Sequence, residues 1–275
     1  MCCFSGPVRE VADTNIFARR DGKTQFLAYQ MRYRADKPVA MILPLPMALP
    51  AREDSVHFID LKGYPTFFTA LADLWPAPTL GTSKGEVSSL PQSLSEPRLV
   101  VKEVGDFVAS FVPAVNDFER LDPRFRLPRQ VWDSLPRYAN FGFVVFQLKE
   151  LRGTPHPMAF SFPTRLESEV FYPTVHIHDG RVHPEEHFDH LLYLQADASE
   201  WSKAALPVTD QVVIERAAGL VLPGRPIFRQ KMLGVYSNED ILVQPQTAPL
   251  QTIAKLALGA VAVGGLSRWL LKKRG

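Results

Sequence analysis

Apolar and polar positions alternate with a period of two along much of the chain, and this predicts strands. Segments 15–20 and 25–34 read as two strands around the Asp21-Gly22 turn, and 39–43 as a third, closed by Pro44-Leu-Pro46. Phe107, Ala109 and Phe111 alternate inside a strand predicted over 99–112. Apolar runs at 141–149 and 158–162 predict two more, and 211–222, 227–236 and 241–243 complete the set, with a turn at 237–240. Helical spacing is scarcer. A short helix is expected over 64–74 behind Gly63, and two helical pieces over 116–138, broken by Pro123, Pro128 and Pro136. Segment 76–98 is rich in Pro, Ser, Gly and Thr and predicts a long loop. There is no internal repeat. The fold class expected is α+β, mainly antiparallel β-sheet and sandwich-like, with a few short helices and a C-terminal apolar helix. The organisation expected is a β-rich globular domain over 1–245 and a tail over 246–275.

Composition supports this picture. The chain has 275 residues, of which 46% are hydrophobic, enough for a large core. Eighteen Phe and twenty-four Pro suit many short strands separated by turns. A net charge of +2, with no basic stripe carrying interleaved aromatics, excludes a nucleic-acid partner. No G-x-G-x-x-G, Walker A or G-x-S-x-G pattern occurs.

The chemistry concentrates in one stretch. Five of seven histidines, His176, His178, His183, His187 and His190, lie within it. Asp179-Gly180 is a type I′ hairpin signal. In that register His176 opposes His183, and His176, His178, His183 and Arg181 share one face while Val175, Ile177 and Val182 share the other. Three imidazoles would then converge on one Zn2+ at roughly 2.0–2.1 Å, with an open fourth position for water. Arg181 on the same face opposes a divalent cation. The alternatives are a solvated or pH-responsive histidine face. The run from His183 to His187 also fits H-x-x-E-H, with Glu186 as general base. Pro184 weakens that motif, because it marks the first residue of a helix expected over 184–197. That helix would carry His187 and His190 on one face, as further candidate ligands.

The two ends suggest other chemistry. Segment 253–271 is apolar, charge-free over 256–267, and is followed by Lys272-Lys-Arg274. With Lys255 and Arg268 snorkelling and Trp269 at the interface, it just qualifies as a spanning helix, so a membrane partner is expected through 253–274. The other reading is a small-residue helix packed on the body. The start Met-Cys-Cys-Phe-Ser-Gly-Pro lacks the basic and apolar regions of a signal peptide, which favours the cytoplasmic side. Cys2 and Cys3 are the sole cysteines, so the fold does not depend on oxidation. Cys2, once exposed as the N-terminal residue, would be a nucleophile with its own amine as base. Phe17-Ala-Arg-Arg-Asp21 resembles the Phe-Gly-Arg-Asn-x-Asp stretch of choloylglycine-type amidohydrolases in its Phe, one Arg and the Asp.

Cys2-Cys-Phe4, the strand 25–33, Val39-Ala-Met-Ile-Leu-Pro-Leu-Pro46 and Tyr64-Pro-Thr-Phe-Phe68 together resemble an uncharacterised bacterial family of β-rich cell-envelope proteins. The resemblance implies a cell-envelope location and a C-terminal hydrophobic anchor, and no activity. The leading expectation is a membrane-associated β-rich protein with a histidine-hairpin metal site. Its rivals are an amidohydrolase using Cys2, and a structural or interaction module without catalysis.

Overall fold

The computed structural model describes residues 3–75, 101–196, 198 and 200–246. The expected loop 76–98, the apolar segment 253–274 and Cys2 lie outside the described residues.

The elements run β1 (Cys3–Phe4), β2 (Val8–Asp21), β3 (Thr24–Ala35), β4 (Ala40–Leu45), β5 (His57–Ile59), α1 (Phe67–Ala72), β6 (Val101–Val104), β7 (Phe107–Val112), α2 (Arg129–Asp133), β8 (Gly142–Leu148), β9 (Arg152–Gly153) and β10 (Met158–Pro163). They continue with β11 (Val170–Tyr172), β12 (Glu185–Leu194), β13 (Ser202–Lys203), α3 (Gln211–Arg216), β14 (Phe228–Ser237) and β15 (Ile241–Val243). An eight-stranded sheet has the order β13-β14-β12-β2-β3-β10-β5, with β9 beside β3. A five-stranded sheet has the order β1-β4-β8-β7-β6, and β11 pairs with β15. Among the described residues the ladders between these strands are antiparallel except that of β2 with β12.

The main core takes side chains from both large sheets. Met41, Leu43, Phe107, Val144 and Phe146 come from the five-stranded sheet, and Leu27, Tyr29, Phe160, Leu192 and Leu194 from the eight-stranded one. Both sheets bury their other faces as well. Ile42, Phe143 and Val145 pack under Phe118, Trp132 and Tyr138. Phe17, Ala28 and Tyr193 pack under α1 and the segment after α3. This two-sided burial explains why β4 and β8 read as continuous apolar runs rather than alternating ones.

The strands expected at 15–20, 25–34, 39–43, 141–149, 158–162, 227–236 and 241–243 are all present, as is the helix within 64–74. Three expectations are corrected. The strand at 99–112 is a hairpin, β6 and β7, folded at Gly105, which has φ +56°. The strand at 211–222 is the helix α3, started by Asp210, whose carboxylate accepts from the N–H groups of Val212 and Val213. The helix at 184–197 is strand β12. Phe188, His190, Leu192 and Leu194 are buried at every second position, so period-two burial prevails over the helix-start signal of Pro184 and its acids. Among the described residues no helix is long and apolar enough to cross a membrane, so the expectation of a transmembrane helix finds no support in them.

Candidate functional site

The histidine segment is not a hairpin. Residues 174–183 form no ladder with one another; Ile177 instead bridges Cys3 in parallel, and the N–H of Phe4 donates to its carbonyl at 2.9 Å. The expected type I′ turn does not form either: Gly180 has φ +80° but Asp179 does not take a positive φ, and the bend is held by the Arg181 N–H donating to Asp179 Oδ1. What redirects the flanks is the 237–240 turn. Asn238 Oδ1 accepts from the His176 N–H at 2.7 Å, while its Nδ2 donates to the carbonyls of His176 and His183 at 3.0 and 2.8 Å. Asp240 Oδ1 accepts from the N–H groups of Thr174 and Val175, and its Oδ2 accepts from the Tyr138 hydroxyl at 2.6 Å. Burial raises the Asp240 carboxyl to about 6, against these hydrogen bonds, which favour the charged form. Burial also pushes the Tyr138 hydroxyl up.

Pinned this way, the histidines stack. The His176 ring lies 4.3 Å from Phe188, 5.2 Å from His190 and 5.3 Å from His178, with interplanar angles of 21°, 13° and 23°. His176 and His190 are fully buried. Burial lowers the pKa of His176, and lowers His178 to about 4, so these two rings are neutral near pH 7. His190 Nδ1 accepts from the Asp189 N–H at 3.2 Å.

This geometry corrects the zinc expectation. An imidazole ligates through a lone pair in its ring plane. Near-parallel stacked planes send those lone pairs alongside one another and not to one point. His183, the intended third ligand, is exposed and hydrogen-bonds to Asp179 instead. His187 is exposed on the opposite face of β12 from His190. Among the described residues no group of three His, Cys, Asp or Glu side chains is placed to hold a metal ion. The H-x-x-E-H reading fails for the same local reason: on a strand, His183 and His187 are not one helical turn apart, and Glu186 is a half-buried strand residue. Cys3 is buried, with Sγ 3.9 Å from the Val175 carbonyl.

Two other polar features have structural work. His156 Nε2 accepts from the Asp106 N–H, and Asp106 Oδ2 accepts from the His156 N–H, which latches the β6–β7 turn to the segment before β10. A cavity of about 400 Å³ beside α2 is lined in part by Asn116, Arg129, Trp132 and Asp133. Arg129 there is already engaged by Asn116 and Asp133.

The outer face of β12 and β14 is different. Its covered end holds Tyr193, Leu191 and Arg229, the last lying over Trp75 at 4.5 Å. Beyond Lys231 the cover stops. Leu233 and Val235 are 64% and 66% exposed, opposite Asp189 and His187. The other face of β14 is occupied: Met232 packs on the main core and Tyr236 meets the ring of Phe188 at 5.5 Å. β14 is also an edge. β13 pairs only with Phe228 and Arg229, and among the described residues no strand pairs with 230–237 on the side away from β12. The sequence does show one sign of this. Strand 227–236 is apolar on both faces, through Met232 and Tyr236 on one and Leu233 and Val235 on the other.

No protein-family model matches the sequence, and no curated protein does. Among solved structures, the chain is similar to baculovirus P35 at 12% identity, over 90% of this chain and 100% of that one, with a TM-score of 0.47. A mutated baculovirus P35 after caspase cleavage matches at 11% identity, over 84% and 99%, with a TM-score of 0.43. The caspase-8/P35 complex matches at 10% identity, over 85% and 96%, with a TM-score of 0.41. Likenesses at this level do not assign a fold family or an activity.

Proposed function

We infer that the chain is an interaction module without catalysis, which binds protein by adding a strand to the free edge of β14. The observation that carries this reading is the open edge from 230 to 237 with Leu233 and Val235 projecting beside it. An unpaired strand presents a row of N–H and C=O groups ready to pair, and folded proteins usually blunt such edges with charge, proline or a cover. Here the only charge on the open run is Lys231, at its end. Strand addition takes affinity from main-chain hydrogen bonds and specificity from alternate side chains. Leu233 and Val235 would supply the apolar contacts, and Asp189 and His187 the polar ones beside them.

The test is hydrogen exchange at β14 in the presence of extended peptides that alternate apolar and polar residues. Saturable binding with slowed exchange of the 231–237 amides is expected, and Leu233→Lys abolishes it. Peptides that bind while leaving β14 exchange unchanged, or no binding by any of them to monomeric chain, would overturn the reading.

A further inference from the structure

The strand that this edge takes rests on the reading above, and its symmetry names the occupant. We propose that the partner is a second copy of this chain, paired antiparallel through β14 about a two-fold axis at Gly234.

The open part of the strand, 230–237, has its midpoint between Leu233 and Gly234, and of these two centres Gly234 is the one that sets Leu233 against Val235 rather than Val235 against Lys231. β13 blocks the strand as far as Arg229, and the chain leaves the sheet after Ser237, where the Asn238 N–H turns in to the Pro184 carbonyl. The side-chain pattern is self-complementary about that centre. Strands that pair across a two-fold keep their faces, so residues whose numbers sum to twice 234 become neighbours. Leu233 then lies opposite the second copy's Val235, and Val235 opposite its Leu233. Four exposed apolar side chains close into one cluster on the outer face. Lys231 falls opposite the second copy's Ser237, a small residue that β12 pairs with Glu185.

The charges agree with this direction. One end of the edge is basic, with Lys203 and Lys231 exposed and Arg229 beside them. The other end is acidic, with Glu185 and Glu239 exposed. Antiparallel pairing sets each basic end against an acidic end, twice. Parallel pairing would set like against like.

Gly234 leaves room for a neighbouring backbone at that centre. A glycine inside a strand marks a bulge or the close approach of another backbone. The β12–β14 register runs without a shift from Glu185–Ser237 to Leu194–Phe228, so there is no bulge. Among the described residues no atom outside its chain neighbours lies within 4 Å of where its Cβ would be, so none of them makes that approach. Its φ of +120° further restricts the position to glycine.

The experiment is sedimentation equilibrium of the full chain from low to high micromolar concentration, with hydrogen exchange on the same samples. A reversible species of twice the 30.9 kDa chain mass is expected, with protection of the 231–237 amides rising with concentration. Val235→Lys weakens the dimer by at least about tenfold, since it places a charge in the centre of the apolar cluster. Lys231→Glu weakens it by about tenfold, the pair occurring twice, and Lys231→Glu with Glu185→Lys restores it. These side chains are exposed, so circular dichroism and melting of each variant should match the parent. A dimer indifferent to Val235→Lys, or not restored by the charge exchange, overturns the proposal. Protection of β14 in a monomer at every concentration overturns it too, and assigns the edge to a segment of the same chain. A monomer that still takes up strand peptides defeats self-pairing alone. A monomer that takes up none defeats the binding function as well.

Discussion

Asn238 grips His176 by both of its backbone polar groups, accepting from the N–H at 2.7 Å and donating to the carbonyl at 3.0 Å. A side-chain amide thus stands in for the strand that the histidine segment would otherwise need. The third bond, to the His183 carbonyl, closes the loop on itself. Asn238→Ala should cost about 2–4 kcal/mol, because two buried backbone groups of His176 and the part-buried carbonyl of His183 lose this bond together. Asn238→Asp should cost at least as much, since a carboxylate cannot donate to two carbonyls. Urea unfolding midpoints of the two variants check this.

The Asp240 carboxyl titrates near 6 in the folded chain and at about 3.8 when unfolded. As pH rises between those values the unfolded state gives up its proton first, so this group's contribution to stability is lost across that window. Asp240→Asn removes the effect. The stability of that variant relative to wild type should therefore improve as pH rises from about 4 to about 6 and level off above. A difference that stays flat across that range would contradict the burial of this carboxylate.

His178 acts with the opposite sign. Its folded pKa is about 4 against 6.5 unfolded, so as pH falls through that window the unfolded state takes up a proton first and stability declines. Among the described residues the buried His178 Nε2 has no hydrogen-bond partner, and Phe4 lies 6.2 Å from the ring. His178→Phe should leave stability at pH 7 unchanged or improved, and make the acid limb of the pH–stability curve shallower.

Gly105 is held by His156. A Cβ there would lie 2.1 Å from His156 Nε2, on a backbone at φ +56°. Gly105→Ala must displace a buried ring that latches the β6–β7 turn and also strain the backbone. A loss of about 3 kcal/mol or more is expected in thermal unfolding.

The stacked rings predict that zinc does little. Chelator treatment should leave the melting temperature unchanged, and calorimetric titration with Zn2+ should show no stoichiometric site that responds to His176→Ala.

The pattern of residues made the sheets legible wherever burial is local and regular, as in β3, β8 and β10. It misled where two local codes competed. Pro184 and the acids after it announce a helix, yet the alternate burial of Phe188, His190 and Leu192 makes a strand, because β2 and β14 lie ready on both sides. The chain does bend at Asp179-Gly180, but not in a type I′ turn, and the flanks were captured by Asn238 and Asp240, some 60 residues further on. No spacing of histidines could reveal that. β14 was visible as a strand; its open edge depends on β13 being only two residues long, which follows from packing rather than from pattern.

The parallel pairing of β2 with β12 sets Thr14–Ala18 beside His190–Leu194. The centre of the larger sheet is thus assembled from segments made early and late in synthesis. A ribosome must deliver most of the chain before Ile16 and Phe17 gain their neighbour on that side, and such distant closure is slow. Until β12 is made, β2 is paired on its β3 side alone, and its other edge stays open. The demand for chaperoning falls there, well away from the histidines.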